Sequence, residues 1–329
     1  MSKLASLLCL SVLISITVPA SASVKFVENT LAVDGPTGVL TGYFRQPDAL
    51  SSTPVVIIVP GSGPTDHNGN SPSGLNASSY SYLAAGLAEA GIASIRIDKR
   101  GMFASAGAAT NPNAVTIGDY ADDLNAWINQ ATRQSHNHCA WVLGHSEGAL
   151  VAEVASAKNQ NICGLILVAG AGRRLGDVLR DQLRSNPANQ TLLPQAFDAI
   201  QKMEAGQRVD TTGFHPALGK LFRPEVQGFL ISELALDPGE LLRACKLPVL
   251  IIQGTNDLQI GIQDAELLKK ADPQARLELI DGMNHVLKTV PDANRAANFA
   301  SYSDPTLPLA EKLLPIISSF INGYSAGSK

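Results

Sequence analysis

Aromatic residues make up only 5% of this 329-residue chain, and charged residues only 16%. So few aromatics leave no dedicated surface for stacking bases or sugars. Nor is there an excess of positive charge: 25 Lys and Arg stand against 29 Asp and Glu, for a net charge of -4. Binding to a phosphate backbone needs clustered Lys and Arg, so nucleic acid is excluded as an expected partner. No His, Cys, Asp or Glu residues recur at metal-ligand spacing, and neither a metal nor a cofactor is expected. The sequence has no internal repeat and no low-complexity tract. Beyond the first 22 residues no segment is long and apolar enough to span a membrane, which takes roughly 20 apolar residues. What is abundant is hydrophobic side chain, 45% of the chain. That is enough for one large domain, or one domain with an insertion.

The N-terminus reads as an address. Lys3 is followed by an apolar run from Leu4 to Val18 and then by Ala20-Ser21-Ala22, a small-x-small cleavage signal. Residues 1–22 are expected to be a cleaved signal peptide and the remainder to be exported, to the periplasm or the medium, with no membrane attachment; an uncleaved anchor is the alternative. Export permits disulfides. Three cysteines follow the leader, Cys139, Cys163 and Cys245, an odd number that leaves one unpaired. Cys139 and Cys163 each precede an apolar run. If those runs are neighbouring parallel strands, a bond between the two cysteines would be worth about 3 kcal/mol in loop entropy; otherwise all three are buried thiols.

Strand and helix patterns alternate along the rest of the chain. Val24 to Pro47 reads as two strands with an antiparallel start. Val55-Val56-Ile57-Ile58-Val59 is a continuous β-branched run, suited to a strand covered on both faces. Helix is expected near Ser79–Ala90, strand at Ala93–Asp98, helix at Ile117–Ala131, strand at Ala140–Leu143, helix at Glu147–Ala157 and strand at Gly164–Ala169. Pro248–Gln253, Ala275–Ile280 and the helices Ile262–Lys270 and Leu309–Gly323 follow. The order argues for an α/β fold with a mostly parallel sheet flanked by helices. Residues 171–245 hold helical pieces (Leu175–Leu183, Pro194–Glu204, Pro224–Leu234) and no buried strand. They read as a helical cap inserted between a first core part, 23–170, and a second, 246–329. Leaving from a strand's carboxyl end, such a cap is placed to cover a ligand site.

The strongest motif is Gly144-His145-Ser146-Glu147-Gly148, a G-x-S-x-G pattern between a predicted strand and a predicted helix. There a sharp turn lifts a serine hydroxyl above the sheet, and the helix N-terminus favours developing negative charge. A nucleophilic serine needs a base, and the base needs an orienting acid. After Ser146 only His215 and His285 are available. His285 sits in a polar turn after the last strand and is the better base; His215 lies in the insertion. Asp257 follows a strand and a Gly turn, giving the chain order Ser, Asp, His; Asp264 and Asp281 are weaker rivals. An oxyanion needs backbone N–H donors, expected from Glu147 and from Ser62 in Pro60-Gly61-Ser62-Gly63-Pro64, with Gly63 the alternative to Ser62. Asp98, Lys99 and Arg100 read as structural loop residues at a strand end. Asp66 and His67 are candidates to touch substrate, or a metal, which the lack of ligand spacing disfavours; His136 and His138 are surface residues, and the Glu147 side chain is a candidate to hydrogen-bond under the insertion.

The segments PGSGPTDHNGNSP, IRIDKRGMFAS, GHSEG, IIQGTNDLQI and GMNHVLK, together with Ser301-Tyr302-Ser303-Asp304-Pro305, resemble exported bacterial α/β-hydrolases related to dienelactone hydrolases and serine aminopeptidase-like esterases. The likeness runs from about Leu31 onward and is weakest in the insertion. It implies the α/β-hydrolase fold, a triad at Ser146, Asp257 and His285, and cofactor-free acyl transfer to water, usually from a small-molecule ester. Dienelactone hydrolases use a cysteine nucleophile where this chain has Ser146, so their particular substrate is not implied. A peptidase, amidase or thioesterase would use the same triad. A peptidase trimming free N-termini would need an acidic anchor such as Glu204, Glu225 or Glu233. A non-catalytic binding protein of this fold is the remote alternative.

Overall fold

A computed structural model describes residues 26–48, 53–291 and 294–325. The expected signal peptide, residues 1–22, lies outside the described residues.

Among them, the main sheet has eight strands. β1 (Phe26–Gly35) and β2 (Gly38–Pro47) form an antiparallel hairpin. β3 (Val55–Val59), β4 (Ala93–Ile97), β5 (Ala140–His145), β6 (Ile162–Val168), β7 (Val249–Gly254) and β8 (Arg276–Ile280) run parallel to one another. The spatial order is β1-β2-β4-β3-β5-β6-β7-β8. The chain starts near the middle of the parallel part, winds one way, then returns and winds the other.

Burial explains the order. Every residue of β3, β4, β5 and β7 is buried, as in strands covered on both faces, and β4 is so although it carries Ser94 and Arg96. The faces divide by the period of two. Val55, Ile57 and Val59 pack with residues of α2 (Ile117–Ser135) and α3 (Glu147–Ser156). Val56 and Ile58 pack on the opposite side with Leu83 and Leu87 of α1 (Ser79–Glu89) and with Leu313, Ile317 and Phe320 of α11 (Leu313–Ser325). β1, at one edge, is largely exposed. The N-terminus of α2 is fixed by a capping box in which the Thr116 hydroxyl accepts from the Asp119 N–H and the Asp119 carboxylate accepts from the Thr116 N–H.

Between β6 and β7 the chain is helical: α4 (Leu175–Arg184), α5 (Leu193–Glu204), α6 (Pro216–Leu221), α7 (Pro224–Leu234) and α8 (Pro238–Ala244). Ala196, Ala199, Ile200, Met203, Leu218, Phe222 and Leu234 give this segment a small core of its own. The sequence pattern missed α6 and α8 because each is only two turns or less, too short to show a 3.6-residue period. The last helix starts at Leu313 rather than Leu309. The Ala310 N–H donates to the Leu287 carbonyl, 2.8 Å away, which ties the stretch before the helix to the histidine loop. The helices α9 (Ile262–Ala271) and α10 (Arg295–Ala300) follow, and a separate two-stranded sheet joins Asn70–Ser71 to Leu75–Asn76.

Cys139 and Cys163, at the starts of the neighbouring strands β5 and β6, are joined by a disulfide, and Cys245 is free. Among the described residues no helix is long and apolar enough to cross a membrane.

Candidate active site

The site lies where the parallel strands end. Ser146 stands between β5 and α3 with φ 55° and ψ −122°, a left-handed conformation costly for a residue with a Cβ. Close packing on both sides enforces it. A Cβ on Gly144 would stand 2.2 Å from the Gly148 carbonyl oxygen, and one on Gly148 would stand 2.3 Å from that of Val59. Only glycine permits the strand, the turn and the helix to approach so closely. The Ser146 N–H donates to the Val168 carbonyl on β6 at 2.9 Å, holding the turn against its neighbour.

Asp257 follows β7 and His285 follows β8. The two meet: His285 Nδ1 lies 2.8 Å from Asp257 Oδ2. The other carboxylate oxygen accepts the N–H groups of Gln259 and Ile260 at 2.8 and 3.0 Å. Burial works to raise the Asp257 carboxyl. The neighbouring His285, by charge and hydrogen bond, and the two N–H donors outweigh it, and the group is held below the ordinary carboxylate range. The His285 loop is itself tied down. Asn284 Nδ2 donates to Ser301 Oγ at 2.7 Å, and Ser79 Oγ donates to the Val286 carbonyl at 2.7 Å. The rival residues are engaged elsewhere. Asp264 accepts from Gly172 N and Arg173 Nε, Asp281 accepts from Thr255 Oγ1, and exposed His215 caps α6.

The nucleophile turn touches the histidine loop through a residue that the pattern G-x-S-x-G leaves unspecified. His145 Nε2 lies 2.9 Å from the His285 carbonyl oxygen and its Nδ1 lies 2.8 Å from Tyr80 Oη. A carbonyl only accepts, so Nε2 carries the proton. Nδ1 is then the acceptor and Tyr80 Oη the donor. The same Tyr80 oxygen accepts the Gly61 N–H at 3.0 Å. The chain Gly61 N–H, Tyr80 O–H, His145, His285 carbonyl thus has a single direction, and it ties the loop after β3 to the loop after β8. Burial first, and then the neighbouring His285, push the His145 imidazole down to about 3, so it is neutral.

The loop after β3 packs on the nucleophile. A Cβ on Gly61 would come within 3.2 Å of Ser146 Cβ. Ser62 and Glu147, the expected oxyanion donors, line two cavities that share Leu175, Leu179 and Glu233. One, of about 240 Å³, also holds Ser146, with Leu150, Leu236, Ile260, Arg173 and Gln259 around it. The other, of about 490 Å³, lies among the helices and is walled by Leu221, Val226, Phe229 and Leu230.

Several charged residues take parts that the sequence reading did not assign. The Glu147 side chain is buried and pairs at 3.1 Å with Lys99, which comes from the β4 end and not from the insertion. Lys99 also donates to the Gly61 carbonyl at 2.7 Å. Arg100 makes a two-pronged contact with Asp123, both bonds 2.6 Å, and fixes α2 to the β4 loop. His67 stacks on Tyr43 and bonds Asp98, while Asp66 shapes its own turn by accepting from Asn68 N and Asn70 N. Neither His67 nor Asp66 lines the two cavities beside Ser62, so neither is placed to touch a substrate there. His136 and His138 are exposed at the opposite strand ends. Glu233, on α7, is 7% exposed and faces both cavities; burial, and then the neighbouring Glu147, raise its carboxyl well above the ordinary range. Among the described residues no cluster of His, Cys, Asp and Glu has the makings of a metal site.

The strand order, the glycine-bounded serine turn and the acid and histidine on successive strand ends are those of an α/β hydrolase, and that is this chain's fold. A family model described as serine aminopeptidase, S33, matches residues 73–212, which include Ser146 but stop short of Asp257 and His285. Among curated proteins the chain is similar to Esterase EstD of Thermotoga maritima, 24% identical over 269 residues; the match covers 80% of this chain and 60% of that protein. Among solved structures it is similar to Est1E from Butyrivibrio proteoclasticus (TM-score 0.55, 14% identity, 91% of this chain and 98% of that one). It is similar as well to a thermophilic esterase from Thermogutta terrifontis (TM-score 0.54, 18% identity, 90% and 99%).

Proposed function

We propose that the chain is an exported serine carboxylesterase acting on small to medium acyl esters. Ser146 Oγ attacks the ester carbonyl and its proton passes to His285 Nε2. Asp257 keeps Nδ1–H of the imidazole pointing at itself and so leaves Nε2 free to accept. The tetrahedral oxyanion takes hydrogen bonds from the N–H groups of Ser62 and Glu147. Collapse expels the alcohol, protonated by His285, and leaves an acyl group on Ser146. Water, deprotonated by the same imidazole, then releases the acid.

The observation that carries this reading is the His285–Asp257 bond at 2.8 Å on the same sheet edge as the strained serine turn. The cavity of about 240 Å³ at Ser146, continuing towards a larger apolar one, suits an ester whose two halves differ in size. The named esterases among the similar proteins support the ester over other acyl compounds. Export rests on the leader-like N-terminus and is supported by the Cys139–Cys163 disulfide, a bond that persists in oxidising compartments.

One observation favours a second reading. Among the described residues the buried Glu233 carboxyl faces the Ser146 cavity without an ion pair, since Lys99, the cation that acts on it, is paired with Glu147; a substrate ammonium would supply one. That is what an aminopeptidase needs. Hydrolysis of a p-nitrophenyl ester series beside aminoacyl-p-nitroanilides, with wild type and Ser146→Ala, separates the two. Ser146-dependent turnover of esters alone supports the esterase. Turnover of anilides transfers the reading to the peptidase, and full activity of Ser146→Ala on esters refutes both.

A further inference from the structure

Lys99 sits under the site without touching either substrate cavity. Its ammonium bonds the Gly61 carbonyl at 2.7 Å and Glu147 Oε1 at 3.1 Å and lies over the Tyr120 ring, 5.1 Å to the centroid. Its side chain and that of Glu147 are 3% and 2% exposed. A buried cation in this position is more than a counter-ion, because of the bond it holds. The Gly61 carbonyl belongs to the same planar peptide as the Ser62 N–H. In a trans peptide the C=O and N–H lie in one plane and point opposite ways. Fixing the oxygen on Lys99 below the loop therefore aims the Ser62 N–H away from Lys99. Ser62 on that other side lines both cavities, and Gly61 packs within van der Waals reach of Ser146 Cβ. The preceding peptide is fixed too, by the Gly61 N–H on Tyr80 Oη at 3.0 Å. A positive charge on the carbonyl oxygen also draws electron density from the amide nitrogen and strengthens the N–H as a donor. The carboxylate that anchors Lys99 is carried by Glu147, whose own N–H is the other expected donor.

We infer that Lys99 is a positioning residue for the oxyanion hole: through the Gly61 carbonyl it sets the plane of the Gly61–Ser62 peptide, and through Glu147 it ties the hole's two donors into one rigid unit. The inference rests on the serine-hydrolase reading above, and it asks nothing of Lys99 in proton transfer or substrate contact. Its effect belongs to the tetrahedral state, where negative charge reaches the carbonyl oxygen, and not to the planar substrate.

The test uses the full chain with two variants, Lys99→Met and the double variant Lys99→Met/Glu147→Gln, in which the loss of Lys99 does not leave the Glu147 carboxylate unpaired. The probe is a trifluoromethyl ketone, which adds to Ser146 as a tetrahedral adduct, compared with the methyl ketone of the same skeleton. The expected result is a loss of kcat on p-nitrophenyl acetate by about 10- to 100-fold, somewhat less than deletion of a whole oxyanion donor. KM should stay within about twofold. Affinity for the trifluoromethyl ketone should fall in parallel with kcat/KM, and affinity for the methyl ketone should not change. A merely structural role would lower thermal stability without separating the two ketones. The inference is overturned if the folded double variant keeps kcat and trifluoromethyl ketone affinity within about twofold of wild type, while Ser146→Ala loses both. If Ser146→Ala itself retains turnover, or the wild type does not bind the trifluoromethyl ketone, the serine-hydrolase reading falls and the role of Lys99 falls with it.

Discussion

The directed chain through His145 makes a quantitative prediction about stability. The imidazole is neutral in the fold and is pushed down to about 3, from an ordinary value of 6.5. A depressed folded value means that the unfolded chain binds the proton more readily between those two limits. The neutral imidazole therefore contributes its full stability above about pH 6.5, and that contribution is lost as pH falls towards 3. At about 1.4 kcal/mol per pH unit, acidification from pH 7 to pH 4 removes about 3 kcal/mol through this one group. Other buried groups act in the opposite sense. Burial raises the Glu153 and Glu233 carboxyls, so both favour the fold as pH falls. They are the same in wild type and in His145→Gln, and they cancel in the difference between the two. At pH 7 the variant should be the less stable protein, since it loses the bonds to Tyr80 and to the His285 carbonyl. By pH 4 the gap should shrink by about 3 kcal/mol. Urea unfolding of both proteins at pH 7, 5.5 and 4 measures it. An unchanged gap would mean that His145 accepts a proton as easily folded as unfolded, and the single direction assigned to the chain would be wrong.

Three further outcomes follow from the geometry. Asp257→Asn leaves the bond to His285 but reverses the demand on Nδ1, so kcat should fall on the order of 10³- to 10⁴-fold with little change in thermal stability, measured by ester hydrolysis beside a melting curve. Gly148→Ala drives a methyl into the Val59 carbonyl, 2.3 Å from where its Cβ would stand. Backbone cannot yield there as a side chain can, so the variant should lose ~3 kcal/mol or more or fail to accumulate; a melting point near that of wild type would show that the turn relaxes freely. Replacing Cys139 and Cys163 by Ser opens a loop of 24 residues and should cost about 3 kcal/mol in denaturant unfolding, with the ester activity of the folded fraction intact.

The parallel core was legible because its residues serve one demand. Val55 to Val59 and Val249 to Ile252 are apolar at every position, and such runs suit strands covered on both faces. Ser146 was legible because a Cβ at position 144 or 148 would stand just over 2 Å from a backbone oxygen, and a requirement that strict leaves a mark in sequence. Asp257 and His285 could be read from strand-end position and chain order, which the sheet topology dictates. The residues that organise the site from beneath left no such mark. Lys99 reads as a charge ending a strand, and nothing in its neighbours foretells that it turns inward to the Gly61 carbonyl. That contact joins residues 38 positions apart. The bond from His145 to the His285 carbonyl joins residues 140 apart. Glu147 and Glu233 come together only in the fold, where both line the same two cavities. A local pattern records what a residue must be for its own turn or strand. The partners of Lys99 and His145 are chosen by the tertiary fold, and the one signal available beforehand was chemical: polar and ionisable residues beside the nucleophile turn must find buried partners, because leaving them without any is costly.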